Sequence, residues 1–458
     1  MSTTELTKGN PIKLMLLFMF PLFIGNIFQQ IYSLADTVIV GNLIGIKALA
    51  AVGCSSAIVW LVLGFILGIT SGFSVLTAQR FGAQDYKNLK QSVVSSIYLC
   101  VFFTIIITFF SCLTAKWLLV FMNTPKEIFE DAFDYIFIIY LGTFATVFYN
   151  MISNIIRALG DSKTPLIFLI IASIINIFLD IIFIAVFKYG VASAALATVL
   201  SQIVSGALCL VYIKYHFPIL HLKKEDWKIN KEDILNHFKV GFPMGFQMSV
   251  LTIGMIAVQV VLNSFGSESI AAFTAACKVE QLAVQPLVAV GVTVATYVAQ
   301  NFGALEFKRI RFGIKICSNF ILFFSISAGI LILLYGKFLI ALFLKEKNVV
   351  VINLAQEYLS NVILFYFPLG MLIMYRSALQ GMGNSIIPLY SGVLELIMRT
   401  LAVIILSKYF GYLGVCLAGP AAWFSGAVLL TIGYYKTFRH LIFKLRKSTS
   451  KEGKKVLV

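Results

Sequence analysis

Apolar residues gather into about a dozen blocks of 18 or more positions with few charges, separated by short polar stretches. About 20 such residues cross the ~30 Å hydrocarbon layer as a helix, whereas strands would alternate with a period of two. The blocks predict spans at 13–35, 51–78, 92–114, 134–156, 165–187, 190–213, 240–262, 270–299, 314–335, 355–376, 387–407 and 413–436. The expected fold class is an all-α polytopic membrane protein with twelve transmembrane helices. The first block is as long as a full span and lacks a small-residue cleavage site, so a retained helix is expected there and not a signal peptide.

The composition agrees. Of 458 residues, 60% are hydrophobic and 12% charged, against about 45–50% and about 25% in soluble domains. The net charge of +16 raises the question of a nucleic-acid partner, but the cations sit between the apolar blocks and not along one face. Topology explains them: with the N-terminus in the cytoplasm, 26 of the 36 Lys and Arg fall on that side and 8 on the other, with Lys278 and Arg399 inside spans. That asymmetry places both termini in the cytoplasm, the protein in the plasma (inner) membrane, and the basic tail from Lys436 to Lys455 against anionic lipid. The seven cysteines lie mostly inside apolar blocks without metal-ligand spacing and read as packing residues. All four histidines (216, 221, 237 and 440) fall in the linker or tail. No nucleophile–base pair or metal motif is apparent, so neither an enzyme nor a catalytic residue is expected.

The chain repeats itself. Gln79-Arg-Phe-Gly-Ala-Gln-Asp85 returns as Gln300-Asn-Phe-Gly-Ala-Leu-Glu306, Phe20-Pro21 as Phe242-Pro243, and Gly160-Asp-Ser-Lys-Thr-Pro165 as Gly383-Asn-Ser-Ile-Ile-Pro388, at offsets of 221 to 223. Six spans per half bring the second half in on the same side as the first, so the repeats are parallel. The expected domains are an N-terminal lobe (1–213), a cytoplasmic linker (214–239), a C-terminal lobe (240–440) and a basic tail (441–458). Two parallel six-helix lobes around a cleft are a transporter layout. The Asp-Arg-rich loop that the major-facilitator fold carries after its second span is replaced by Arg80-Phe-Gly-Ala-Gln-Asp-Tyr-Lys87.

Charges inside a membrane are expensive and mark cavities or partners. Asp36 ends the first predicted span on a stripe with Asn26, Gln29, Gln30, Ser33 and Thr37, at helical spacings of three and four. Asp180 lies deeper in its span, with Asn176 and Ser173 on the same face, and the next span carries Thr198, Ser201, Gln202 and Ser205. Carboxylate, amide and hydroxyl oxygens suit a small hard cation, and a desolvated carboxyl group also takes up a proton readily, so either H⁺ or Na⁺ fits such a pocket. The second half does not repeat this chemistry, because Val403, Arg399 and Val258 stand at the positions matching Asp180, Asn176 and Asp36. Glu395 and Arg399, one turn apart, are expected to form an internal ion pair. Glu280 faces away from Lys278 and, with Gln30, Met255, Gln259, Tyr366 and Met374, is a candidate for a substrate cleft; thioethers and aromatic faces suit flat or cationic organic molecules.

Phe20-Pro21 with Asp36, the Arg80-Phe-Gly-Ala loop, Arg157-Ala-Leu-Gly-Asp-Ser-Lys-Thr-Pro165 and its echo Gln380-Gly-Met-Gly-Asn-Ser-Ile-Ile-Pro388 together resemble the multidrug and toxic compound extrusion (MATE) transporters over about residues 10–440. The resemblance implies a V-shaped twelve-helix antiporter that exports organic cations against H⁺ or Na⁺, with no other cofactor and no macromolecular partner beyond membrane lipid, acting as a monomer. The DinF-like branch of that family has an ion site whose positions match Asp36, Asn176, Asp180 and Thr198 here. The acids that the NorM-like branch carries in its seventh and tenth spans have no counterpart well inside those spans. A flippase for a lipid-linked precursor is the neighbouring alternative within the same superfamily.

Overall fold

The computed structural model describes residues 5–122, 124–187, 190–344 and 348–452. Lys188, Lys345 and Lys347, counted above with the outer face, and the last tail residues 453–458 lie outside them. Every element among the described residues is helical. The major helices are α1 (Pro11–Leu43), α2 (Ile46–Gly82), α3 (Tyr86–Phe121), α4 (Phe129–Leu141), α5 (Thr143–Ala158), α6 (Lys163–Ile181), α7 (Ala192–His216) and α8 (Lys231–Leu262). They continue as α9 (Gly266–Ala283), α10 (Gln285–Gly303), α11 (Phe307–Ala341), α12 (Val349–Val362), α13 (Tyr366–Gly381), α14 (Ile386–Phe410), α15 (Tyr412–Cys416) and α16 (Ala418–Glu452).

Ten helical stretches are long and apolar enough to cross a membrane, or eleven when the pair Lys126–Leu141 and Thr143–Ala158, bent by 45°, is counted as one. Four of the twelve expected spans are interrupted: the one at 413–436 divides at Leu417 between α15 and α16, and the other three break for local reasons. The span at 134–156 breaks at Gly142, where a Cβ would stand 2.0 Å from Val199 Cγ2 on α7, so a glycine lets the two helices meet. The span at 270–299 divides between α9 and α10 at Pro286, whose ring opens a helix readily but disrupts the interior of one. The span at 355–376 divides at a 3₁₀ turn, Ile363–Phe365. The first helix departs from expectation the other way. It runs to Leu43, so Asp36 sits within a continuous helix and not at its end.

The described residues gather into two compact units, one built from Leu17–Thr252 and the other from Leu6–Leu16 together with the chain from Ile253 onward. In unit 1, α2 and the first part of α8 approach through glycines spaced four apart, Gly64, Gly68 and Gly72 against Gly241 and Gly245. A Cβ on Gly68 would lie 2.5 Å from the Met244 carbonyl oxygen, and one on Gly72 would lie 2.5 Å from Gly241 Cα. Small residues at such spacing let helix backbones touch where lipid supplies no hydrophobic drive. Gly68→Val should therefore force the two backbones apart and cost about 3 kcal/mol or more, seen as a lowered melting temperature of the purified protein and a reduced yield of monodisperse material. Gly53→Val, with open space where its Cβ would stand, is the control expected to change little.

The repeated sequence motifs are helix stops. In Gln79–Asp85 the Asp85 N–H bonds the Arg80 carbonyl (3.0 Å) and the Gln84 N–H bonds that of Phe81 (3.0 Å); in Gln300–Glu306 the Glu306 N–H bonds Asn301 (2.8 Å) and the Leu305 N–H bonds Phe302 (3.1 Å). This double bond pattern demands one left-handed residue. Gln84 (φ 57°) and Leu305 (φ 60°) supply it at matching positions of the two halves. Gly160 (φ 92°) and Gly383 (φ 82°) do the same at the second repeated motif, where glycine fits without strain. Leu305 is exposed, and Leu305→Gly is expected to raise stability by about 0.5–1 kcal/mol through relief of that backbone strain. A small rise in melting temperature would bear this out, and a fall would contradict it. Asp85 then caps α3, accepting from the Asn88 backbone (3.2 Å) and side-chain amide (2.6 Å), and these bonds hold its carboxyl below the usual range.

Each stop motif also grips a chain segment. In unit 1, Arg80 pairs with Asp233 near the start of α8; Asp233 accepts from Ser95 Oγ (2.7 Å), and His237, fully buried within α8, meets Ser92 Oγ at 2.7 Å. The expectation that His237 lies in a solvated linker is thus replaced by a packed, bonded imidazole, because α8 begins at Lys231. In unit 2, the Leu6 N–H donates to Gln300 Oε1 (2.9 Å), and the Leu6 carbonyl accepts from Asn301 Nδ2 (3.3 Å) and Arg309 Nη2 (3.0 Å). Arg309 Nη1 adds a bond to the Gly9 carbonyl (2.9 Å).

Candidate functional site

The carboxylates within unit 1 come together. Asp36 on α1 and Asp180 on α6 are close enough to interact directly, and Tyr32, one turn before Asp36, and Tyr135 on α4 lie within electrostatic reach of both. Asn176, one turn before Asp180, donates from Nδ2 to Thr198 Oγ1 on α7 (3.3 Å), and that hydroxyl in turn donates to the Ala194 carbonyl (2.9 Å). Asp180 and Asn176 are fully buried, whereas Asp36 and Thr198 are half-buried. The four residues singled out from the sequence as an ion pocket thus lie on three neighbouring helices of one unit.

The oxygens in this pocket lack donors. Both Asp180 carboxylate oxygens, Asp36 Oδ1 and Asn176 Oδ1 are buried without a hydrogen-bond partner. A buried carboxylate without partners costs several kcal/mol, so the pocket is short of positive charge, which a proton or a bound cation supplies. Among the described residues no three His, Cys, Asp or Glu side chains converge. Two carboxylates with an amide and a hydroxyl suit a proton or an alkali cation better than a tightly held transition metal. Directly after Asp180 the helix passes into a π turn, Ile182–Val186, a distortion often found beside functional residues. Tyr32 and Tyr135 were not singled out in the sequence. Tyr32 shares the Asp36 face at i−4, and that spacing was the available signal; nothing in the sequence around Tyr135 points to the pocket.

The remaining candidates are scattered. Gln30 is half-buried on α1. Met255 and Gln259 on α8 are exposed, and Gln259 Nε2 donates to Asn263 Oδ1 (2.8 Å). Tyr366 and Met374 are fully buried inside unit 2, with Met374 Sδ accepting weakly from Ser318 Oγ (3.7 Å). Glu280 accepts from the Tyr358 hydroxyl (2.5 Å). The expected Glu395–Arg399 pair is not formed. Glu395 pairs with Arg376 on α13 and accepts from Ser391 Oγ (2.8 Å). Arg376 reaches across from a second helix and takes the carboxylate, and it is consequently a half-buried residue of the interior and not a loop cation.

A helical chain with many spans and a buried pair of carboxylates inside one of its two units has the layout of a membrane transporter. The family model named MatE matches residues 21–182 and again 243–405, and the chain belongs to the MatE family of multidrug transporters. The two matched segments are offset by 222 to 223 residues, within the 221 to 223 of the internal repeat. Among its relatives is the "Probable multidrug resistance protein YpnP" of Bacillus subtilis (strain 168), 30% identical over 451 residues, covering 97% of this chain and 99% of that one. The "Probable multidrug resistance protein NorM" of Thermotoga maritima is 28% identical over 402 residues, 85% of this chain and 84% of that one. A solved outward-facing structure of a multidrug resistance MATE family transporter of the MOP superfamily shares the fold with a TM-score of 0.89 at 23% identity, covering 96% of this chain and 99% of that one.

Proposed function

We propose that the protein is a cation-coupled multidrug antiporter of the plasma membrane that exports organic, mainly cationic, compounds by alternating access, with H⁺ or Na⁺ entering through the Asp36, Asn176, Asp180 and Thr198 pocket. The observation that carries this reading is the fully buried Asp180, with neither carboxylate oxygen partnered and Asp36 beside it. An entering ion neutralises the pair, the helices bearing it (α1, α6 and α7) repack, and substrate affinity falls on the outward side. Gln30, Met255, Gln259, Glu280, Tyr366 and Met374 are retained as substrate-cleft candidates on side-chain chemistry alone. In the proposed topology both termini are cytoplasmic, twelve spans form two six-helix lobes (1–213 and 240–440), and 214–239 links them. The tail 441–458 rests on anionic lipid and the chain acts as a monomer. The pocket's residue set aligns the chain with the DinF-like branch.

The energetics suffice. One proton moving down ~100 mV and one pH unit releases about 3.7 kcal/mol, enough for a gradient of roughly 500-fold for a neutral substrate. Against a monovalent cation the electrical contributions cancel, leaving about tenfold. The test is efflux of rhodamine 123 from proteoliposomes with a Na⁺ gradient alone or a pH gradient alone. Efflux driven by one of them identifies the coupling ion. Efflux indifferent to both removes the antiport reading and turns the question to lipid-linked substrates.

A further inference from the structure

The unpartnered polar atoms of unit 2 differ in kind from those around Asp180. Arg399 on α14 is 7% exposed. Its Nε has no partner, and among the described residues no ion pair or hydrogen bond reaches its guanidinium. The Tyr366 hydroxyl is also buried without a partner and lies within electrostatic reach of Glu280. Two carboxylates, Glu395 and Glu280, lie within electrostatic reach of Arg399, and both are engaged elsewhere. Glu395 is held by Arg376 and Ser391, and Glu280 accepts from Tyr358. Glu280 lies within electrostatic reach of Arg399 but not in ion-pair contact.

A guanidinium offers five N–H donors, and leaving even the buried Nε–H bare inside a membrane protein is costly. On the α8 side Gly254 faces it: a Cβ at that position would lie 3.5 Å from Arg399 Cδ and 3.6 Å from Nη1, ordinary contact distances. Where the pocket of unit 1 lacks donors, this place lacks acceptors.

We infer that Arg399 forms an anion-binding site within unit 2 that takes a carboxylate-like monovalent anion, either the carboxylate of a zwitterionic substrate or a free inorganic anion. The first source rests on the export reading above and extends it from cations to zwitterions; the second does not depend on it. Glu280 tunes the site, since its negative charge competes with the anion for Arg399.

Rhodamine 110 and rhodamine 123 share one cationic ring system and differ in a free carboxylate against its methyl ester. Their binding to the purified full-length protein, read by fluorescence polarisation, is compared in the wild type, Arg399→Gln, Arg399→Lys and Glu280→Gln. In parallel, melting temperatures are followed as sodium chloride is raised at fixed pH. With a substrate carboxylate as occupant, Arg399→Gln weakens rhodamine 110 by about tenfold or more, leaves rhodamine 123 within about twofold, and Arg399→Lys restores most of the loss. With a free anion as occupant, the dyes behave alike and chloride stabilises the wild type but not Arg399→Gln. Chloride stabilisation that depends on Arg399, in a protein binding neither dye, upholds the site and counts against the export reading. If neither the dye preference nor the chloride effect depends on Arg399, the inference is overturned. Should Arg399→Gln fail to fold, Glu280→Gln decides: anion binding strengthened about threefold or more supports the site, and unchanged or weaker binding removes it.

Discussion

Asp180→Asn is expected to lower gradient-driven efflux of an organic cation on the order of a hundredfold, the upper range of a coupling free energy between two sites, while the purified protein melts close to the wild-type temperature. The amide keeps the shape and burial of the side chain but holds neither a proton nor a full negative charge, so the ion loses its main partner. Asp36→Asn should do nearly as much, because the two carboxylates act on one ion. Asn176→Ala and Thr198→Ala each remove a neutral group and should cost about tenfold or less. Proteoliposome efflux under the driving gradient provides the measurement. If Na⁺ is the ion, the wild type alone should also gain stability in NaCl over choline chloride. Normal export by Asp180→Asn would remove this pocket from the mechanism.

The second large effect is expected far from transport. Asp233 is 2% exposed, pairs with Arg80 and accepts from Ser95. Breaking a buried pair by deleting one partner costs about 3–5 kcal/mol; Arg80 keeps 22% of its side chain exposed, so the lower end, about 3 kcal/mol, is expected for Asp233→Ala. Thermal unfolding in detergent should show a drop of several degrees. The double variant Arg80→Met with Asp233→Leu should recover most of it, because no charge is then left stranded. A double variant as unstable as the single one would show that the cost came from packing and not from an uncompensated guanidinium.

Much of this was legible along the chain because two signals are local. A span long enough to cross a membrane announces itself by length and polarity, and the repeated motifs announce themselves by residue identity, which is why the two halves could be matched at Gln79 and Gln300 and at Gly160 and Gly383, although only the glycines of the second pair signal a left-handed turn. The Asp180 pocket was readable for a related reason, since Asn176 and Asp180 share a helix face by spacing alone. What escaped was decided between helices. Arg399 was expected to hold Glu395 one turn away, but Arg376 from the next helix holds it instead. The α2–α8 crossing was invisible because its glycines matter only once Gly68 meets Met244. Breaks inside spans, as at Gly142, were missed because apolar character continues across them.

The strap formed by Leu6 bears on the order in which the protein is made. Its partners Gln300, Asn301 and Arg309 lie about 300 residues downstream, and at about 5–20 residues per second they leave the ribosome roughly 15–60 s after it. Throughout that interval Leu6 has no place to dock, and this part of unit 2 stays unfinished until α10 and α11 have been made. Removing the first ten residues should therefore leave insertion of the early spans intact and impair maturation of the last ones, so a defect at the N-terminus would surface as late-stage misassembly at the C-terminal end.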